Sequence, residues 1–296
     1  MSFVSIVSAN ADNFDFPIET ADIDNANSML GPDRAGLRGW SVRKRPKRVK
    51  IGLVAIPREY YRLHKFVALT ADVMFVAGIP FLVTYSRGIK FTTCEFIPSR
   101  TARQLANSLR KVIYLYARGG FIVNMCLMDC EFEAVKKFLP LVEVNTTAAR
   151  EHVPEIESKN RRVKEKVRAL TSDLVYKWIP ALLLIHMVYF AVLWLNVFPV
   201  PGEGWVTSPR TAVTRHVLNW SRDCKACLGS YVEASVDPDA TNTNDARTRP
   251  CVYLGPSGNL QGTSKCLDIG TNKVLHRRVV NVLPAPRAVS YTHLRA

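Results

Sequence analysis

Two aspartates lie where carboxylates could meet to bind divalent cations. Asp72 is the charged residue of the apolar segment TADVMFV and is predicted to open a strand, and Asp129 closes a second predicted strand within MCLMDCEFE. Carboxylate oxygens suit Mg²⁺ and Mn²⁺, and two such ions can stabilise both the attacking and the leaving oxygen of a phosphodiester. The two aspartates are therefore candidates for metal-dependent phosphodiester chemistry, although each also fits a turn or cap.

A third carboxylate, Glu157, lies in a helix predicted over 154–170, which Pro154 can begin at its first position. At 100° per residue, three cations fall on the same side of this helix as Glu157: Arg161, Lys164 and Arg168. A separate apolar stripe consists of Ile156, Val163, Val167 and Leu170. The helix is thus expected to pack on a sheet with a carboxylate at the head of a basic ridge. An ordinary solvated face with Glu-to-Arg pairs is the alternative.

Several strands and one more helix are predicted to position these residues. The segment VMFVAGIPFLVTYSRGIKFTTCEF is rich in β-branched and aromatic residues and is divided by two turn signals, which predicts three consecutive strands. Thr101 and Gln104 form a capping box before a helix that ends at Gly119-Gly120. Apolar strands are predicted at 121–129 and 141–147. This order indicates an α/β fold with a mixed sheet flanked by helices.

Composition changes along the chain indicate four segments. Residues 1–50 are acidic and then basic, without a persistent period, and are expected to be poorly ordered. Residues 51–200 hold the α/β pattern, and residues 201–285 hold short strands between Gly, Pro, Asn and Asp, typical of a small all-β unit. Residues 286–296 are interpreted as a non-native tail and left out of the fold prediction.

The charge of the chain indicates a polyanionic partner. The formal net charge is +15, and six of the eight residues in RKRPKRVK, 43–50, are basic. Such a run fits a solvated linker that holds phosphates, a nuclear import signal, or both. Seven scattered cysteines, an odd number, favour a reduced intracellular protein, and the first residues lack the features of a secretory signal.

The segment 181–198 is apolar enough to raise the question of a membrane span. Its eighteen residues carry no formal charge, which is about the minimum for a spanning helix. His186 and Asn196 would be costly in hydrocarbon, and a helix that is apolar all round is also typical of a buried core. We predict a core helix and no membrane contact. A single-pass membrane protein with a basic flank remains the alternative.

Three segments taken in order resemble the integrase core of copia-type retrotransposon polyproteins. They are ADVMFVAGIPFLVTYSRGIKFTTCEFIPSRTARQL, LMDCEFE and EIESKNRRVKEKVR. The downstream segment LGPSGNLQGTSKCLDIGTNKVLHRRVV is similar to the family as well, so the resemblance covers about residues 49–283. In that family the first Asp precedes a strand pair with "YSR", the second ends a strand before "EF", and a Glu lies in a "V-E-R-K-N-R" helix.

The resemblance implies a ribonuclease H-like fold and a metal-dependent enzyme that processes DNA ends and transfers strands. Asp72, Asp129 and Glu157 would be the catalytic residues and would bind Mg²⁺ or Mn²⁺. The partners would be double-stranded DNA, as element ends and target, and further copies of the chain, in the nucleus. The residues expected to bind nucleic acid are Asn160, which matches the family's helix Asn, with Arg161, Lys164, Arg168, Arg43, Lys44, Arg45, Lys47 and Arg48.

The sequence departs from the family pattern in ways that leave alternatives open. The family's "DNG-x-EF" is compressed to Asp129-Cys130-Glu131-Phe132, and the "QNG" before the Glu is replaced by His152-Val153-Pro154. Glu151 and Glu155 are therefore rivals of Glu157 as the third ligand. These departures, and the absence of a His-His-Cys-Cys module from the sequence, motivate a second hypothesis, that of a catalytically inactive nucleic-acid-binding relic of a polyprotein.

Overall fold

The computed structural model describes residues 20–40, 52–147, 154–176, 178–200, 207–236 and 245–286. The chain divides into two compact units. The described residues of Gly52–Leu174 and Ala181–Leu218 form the first, called here the α/β unit. Those of Met1–Ile51, Val175–Pro180 and Asn219–Ala296 form the second, called here the β unit.

The helices in chain order are α1 (Thr20–Leu30), α2 (Arg34–Trp40), α3 (Arg58–His64), α4 (Ala102–Gly119), α5 (Pro154–Asp173), α6 (Ala181–Val197), α7 (Pro209–Thr214) and α8 (Trp220–Asp223), with a 3-10 helix at Cys130–Phe138. The strands are β1 (Phe66–Val76), β2 (Ile79–Ser86), β3 (Thr92–Phe96), β4 (Ile122–Met128), β5 (Glu143–Thr146), β6 (Tyr231–Ser235), β7 (Thr248–Pro256), β8 (Ser264–Asp268), β9 (Val274–Arg277) and β10 (Val280–Val282).

A mixed five-stranded sheet forms the centre of the α/β unit. Its strand order is β3-β2-β1-β4-β5, with antiparallel pairs among the first three strands and parallel pairing of β4 with β1 and of β5 with β4. Helix α4 packs against β4, and α5 packs against β1 and β2. The predicted mixed sheet flanked by helices is therefore confirmed.

Strand β1 begins earlier than the sequence predicts. It runs from Phe66, so Asp72 lies within the strand and does not open it. The extension exists because Phe66 pairs with Ile122 of β4, a contact that the local sequence does not reveal. Val67, Leu69 and Ala71 lie in the core that α4 covers, and alternate residues such as Asp72 therefore point to the opposite face.

Helix α4 confirms the prediction made from its end signals. The Thr101 hydroxyl accepts a hydrogen bond from the Gln104 backbone N–H at 3.3 Å. Gly120 follows the helix at φ 91°, a left-handed conformation that glycine adopts without steric cost. The predicted apolar face is fully buried and consists of Leu105, Leu109, Val112 and Tyr116.

Helix α6 lies along the edge strand β3 and is buried on one side. Asn196 accepts a hydrogen bond from the Thr92 backbone N–H and donates to the Thr92 carbonyl, and the Tyr189 hydroxyl accepts from the Phe96 backbone N–H. The prediction of a core helix therefore holds for this side, whereas Phe190 on another side is partly exposed. Within the described ranges, no helix has the length and apolarity needed to cross a membrane.

The β unit contains an antiparallel sheet of the order β10-β6-β7-β8-β9. The predicted C-terminal strands are thus present, and the segment KVLHRRVV contains β9 and the first residue of β10. The core of this sheet consists of Val232, Ala234, Cys251, Tyr253 and Cys266.

Two helices correct the prediction of a poorly ordered stretch at 1–50. Residues 20–40 form α1 and α2, and the Arg38 guanidinium of α2 makes two hydrogen bonds with the fully buried Glu233 carboxylate of β6. These helices belong to the β unit. The expected boundary at residue 200 also differs from the structure, since residues 207–218 belong to the α/β unit.

Candidate functional site

The parallel register of β1 and β4 places Asp72 and Asp129 beside each other. Ala71 pairs with Met128, and the two aspartates are the next residues along these strands. Asp129 follows the last residue of β4 with an extended backbone, φ −69° and ψ 163°. Because neighbouring positions of parallel strands point to the same face, both carboxylates leave the sheet on the face opposite the core that α4 covers.

Helix α5 contacts the Asp72 carboxylate through Asn160, which lies close to Glu157 on the helix. Asn160 lies almost one helical turn after Glu157, and its Nδ2 donates a hydrogen bond of 2.6 Å to Asp72 Oδ2. The Val73 backbone N–H donates to the other oxygen, Asp72 Oδ1, also at 2.6 Å. These two donors fix the orientation of the Asp72 carboxylate.

The charges of Asp129 and Glu157 both act on the Asp72 carboxylate. Burial raises the pKa of Asp72 above its ordinary value, and the negative charges of Asp129 and Glu157 raise it further. The hydrogen bonds from Val73 and Asn160 lower this pKa and oppose the increase only in part. A carboxylate repelled by two others is an environment that a cation would relieve.

The donor set fits a divalent cation in its chemistry but is not preassembled. Within the described residues, no group of three or more His, Cys, Asp or Glu side chains is arranged so that it could hold a metal ion. The Asn160 Oδ1 atom is buried without a hydrogen-bond partner, and it is an oxygen of the kind that Mg²⁺ and Mn²⁺ accept. If an ion binds here, its carboxylate ligands would be Asp72 and Asp129, which the strand register sets side by side, together with Glu157.

Basic side chains continue from Glu157 along the exposed side of α5. A cleft of about 360 Å³ is lined by Glu157, Asn160, Arg161, Lys164 and Arg168. The three cations are exposed to solvent, and Arg161 makes a 3.8 Å ion pair with Glu165. The predicted basic ridge headed by a carboxylate is thus present as a surface in the structure, and it suits phosphate groups because its three cations outnumber the neighbouring acids Glu157 and Glu165.

The structure corrects the predicted role of Asn160 and bears on which glutamate is the third carboxylate. Asn160 was expected to bind nucleic acid, but its side chain is buried and its amide donates to Asp72, so we assign it the positioning of that carboxylate. Glu155 makes a 2.7 Å ion pair with Arg87 and is not among the charges that act on Asp72, which favours Glu157 over Glu155. Glu151 lies outside the described residues, as does the basic run of Arg43, Lys44, Arg45, Lys47 and Arg48.

Sequence analysis missed the support that Thr147 gives to Asp129. The Thr147 hydroxyl donates a 3.3 Å hydrogen bond to Asp129 Oδ1, and its backbone N–H donates to the Met128 carbonyl at 2.9 Å. Thr147 directly follows β5, which pairs with β4 in parallel. The adjacent ends of two predicted strands were a usable signal, since parallel strands end at the same edge of a sheet.

Replacement of Asp72 by Asn is expected to stabilise the metal-free protein. The folded-state pKa of Asp72 lies above the unfolded value, so its contribution to stability is present below the unfolded pKa and is lost as the pH rises through the folded one. At neutral pH the variant should gain up to about 1 kcal/mol, a small value because solvent screens this half-buried group. Thermal unfolding in a chelator at pH 7 and at pH 3 checks this, because the gain should be absent at pH 3. Equal melting temperatures at pH 7 would contradict the prediction.

Comparisons with known proteins find similarity to solved structures, and none to a protein family or a curated protein. Among solved structures, the chain is similar to the catalytic core domain of BIV integrase in its crystal form I. The identity is 17%, the match covers 51% of this chain and 93% of that chain, and the TM-score is 0.37.

Proposed function

We propose that the α/β unit is the catalytic core of a copia-type retrotransposon integrase with a ribonuclease H-like fold. In this proposal it processes DNA ends and transfers strands in a metal-dependent reaction. The observation that supports it is the strand register that sets Asp72 of β1 beside Asp129 at the end of β4, with Glu157 of α5 near enough for its charge to act on Asp72. Three carboxylates on three elements are what a two-metal phosphodiester site requires.

The protein's own contribution to this reaction is binding and orientation. Mg²⁺ or Mn²⁺, when bound, would stabilise negative charge on the attacking and leaving oxygens of the phosphodiester. Asn160 and the Val73 N–H hold the Asp72 carboxylate, and Thr147 holds that of Asp129. Such support matters because a misplacement of about 1 Å can cost about 100-fold in rate.

Double-stranded DNA is the substrate that the charges of α5 suit. Arg161, Lys164 and Arg168 start beside Glu157 and continue along the helix, so a phosphate backbone held by them would pass the carboxylates. The element ends and the target would both bind by their phosphates. Assembly as a homo-oligomer and a nuclear location belong to the same proposal.

Assays with duplex oligonucleotides that carry terminal-repeat ends test the proposed activity. With Mg²⁺ or Mn²⁺ we expect shortened 3′ ends and joining of those ends to target DNA, and neither product with a chelator. DNA binding without any metal-stimulated product would reject the enzyme and leave the second candidate, an inactive nucleic-acid-binding relic. One observation favours that candidate, namely that no group of three acidic or other ligating side chains is preassembled within the described residues.

Removal of the basic ridge is expected to weaken duplex binding and its salt dependence together. Each phosphate contact contributes about 0.9 to the slope of log K against log[salt], so the triple replacement of Arg161, Lys164 and Arg168 by Gln should lower the slope by about 2.7. Binding titrations between about 50 and 200 mM salt measure this. The control is an equal loss of three exposed cations on α4, by replacement of Arg103, Lys111 and Arg118 with Gln. Equal slopes for the two triple variants would show that binding depends on net charge alone.

A further inference from the structure

A second basic ridge runs along α5 on the other side of its buried stripe. Glu155, Lys159, Arg162 and Lys166 recur at i, i+4, i+7 and i+11, which places them on one side of the helix, roughly 150° from the ridge at Glu157. Glu155, at the start of this ridge, forms an ion pair with Arg87. Arg162 and Lys166 are both exposed to solvent.

This ridge forms one wall of a cleft between α5 and α6. The cleft has a volume of about 720 Å³ and is lined by Arg162, Glu165, Lys166, Ala169, Trp194, Leu195 and Phe198. Its volume lies in the range of sites that bind small organic groups. Glu165 is the acid of this lining and makes its ion pair with Arg161 of the first ridge, at 3.8 Å.

Aromatic rings form the opposite wall. Phe190, Trp194 and Phe198 follow one another at four-residue spacing along α6 and just beyond its end. The Trp194 ring lies 5.8 Å from that of Phe190 in an edge-to-face arrangement and 6.1 Å from that of Phe198 in a stacked one. Phe198 is 54% exposed and Trp194 is partly exposed, so a flat group can stack on the outer side of this ring pair.

Two cations, Arg162 and Lys166, and one acid, Glu165, line the cleft, and Lys159 on the same ridge adds a further positive charge. Lys159 lies over the Tyr85 ring, with its Nζ 4.4 Å from the ring centroid. Burial lowers the pKa of Lys159, and the positive charges of Arg162 and Lys90 lower it further, while Glu155 opposes this. Cations that repel one another in this way favour an anionic occupant.

We propose that the cleft between α5 and α6 binds single-stranded nucleic acid, with a base stacked on the outer side of the Trp194–Phe198 ring pair and a phosphate held by Arg162 and Lys166. Stacking requires the face of a base, which a duplex keeps covered and an unpaired strand exposes. An acidic peptide would match the cations but leave the stacked rings without a planar partner. This site lies on a different side of α5 from the carboxylates, so its occupation does not depend on the proposed catalysis.

Binding of labelled oligo(dT) of roughly 15 nucleotides, a length that spans one typical site, tests the proposal. Fluorescence anisotropy in a chelator, with a duplex of equal length as the second ligand, separates this cleft from metal-dependent chemistry. We expect Trp194→Leu to bind oligo(dT) about tenfold more weakly while it binds the duplex like the wild type, and Trp194→Phe to keep most of the affinity. Arg162→Gln with Lys166→Gln should also weaken oligo(dT) binding.

A control variant and two further measurements distinguish single-stranded nucleic acid from other ligands of the cleft. Trp178→Leu changes another exposed tryptophan, 66% exposed, and should leave oligo(dT) binding unchanged. If Trp194→Leu fails to fold, Phe198→Leu just beyond the helix end replaces it, with the same expected loss. Unchanged oligo(dT) binding by a folded variant overturns the proposal. A variant that sediments differently but binds oligo(dT) as before also overturns it, because a second copy of the chain would then be what covers the rings. Trp194-dependent oligo(dT) binding without any nicking would reject the proposed enzyme and keep this site.

Discussion

Replacement of Asp129 by Asn is expected to reduce metal-dependent nicking and strand transfer at least about a thousandfold. Metal ions contribute several kcal/mol of charge stabilisation in such reactions, and each 1.36 kcal/mol corresponds to a factor of ten in rate. The pairing of Ala71 with Met128 places Asp129 beside Asp72. Another acidic residue could take this position only if the register of β1 and β4 changed. The amide of Asn keeps the shape of the side chain and removes its charge.

The matched control is Glu131→Gln, which removes a carboxylate two residues away. Glu131 is exposed and makes an ion pair with Arg100, so its loss should leave both activities within about twofold. Single-turnover rates on labelled duplexes in Mg²⁺ and in Mn²⁺ give the comparison. Duplex binding in a chelator should be the same for both variants, because the ridge cations are unchanged. Wild-type rates from Asp129→Asn would remove Asp129 from the site.

Loss of the Arg38 guanidinium is expected to destabilise the β unit by about 3 kcal/mol. Glu233 is fully buried, and Arg38 donates to both of its oxygens, at 3.0 and 3.4 Å. Removal of one member of a buried ion pair costs about 3–5 kcal/mol, and the lower end applies because Arg38 is 30% exposed. The hydroxyls of Tyr231 and Thr248 remain bonded to the carboxylate but bring no charge, and Arg34 remains as a more distant cation, 4.0 Å from it, which also keeps the cost at the lower end.

Hydrogen exchange of the β6 and β7 amides measures this effect separately from the α/β unit, since the two units need not unfold together. Arg38→Met should speed exchange there and leave β1 and β4 unchanged. The double variant Arg38→Met with Glu233→Gln should recover much of the loss, because no unpaired charge stays buried. Equal exchange in the single variant and the wild type would show that α2 contributes nothing to the stability of the sheet.

Local signals predicted the elements of the α/β unit well, because those signals act between near neighbours. The capping box of Thr101 and Gln104 and the apolar spacing of α4 specify that helix within one segment. The ridge on α5 also follows from helical geometry alone. The placement of Asp129 directly after β4 was visible for the same reason, since the apolar run ends there.

Features that depend on distant partners were not predictable in the same way. The ordering of α1 and α2 was missed because the carboxylate that pairs with Arg38 lies 195 positions away. The start of β1 depends on β4, and the positioning role of Asn160 depends on contact with Asp72, 88 positions earlier. The partial exposure of α6 could not follow from its composition, which is apolar on every side.

Asn196 bonds the backbone N–H and C=O of Thr92, and Tyr189 bonds the N–H of Phe96, so both ends of β3 are partly closed to another strand. An open border strand invites the strand of another molecule and so promotes fibrillar aggregation. The opposite edge strand, β5, is only four residues long and includes the charged Glu143, so it pairs poorly with a strand of another molecule. The α/β unit should therefore tolerate high concentration during expression better than its apolar composition suggests.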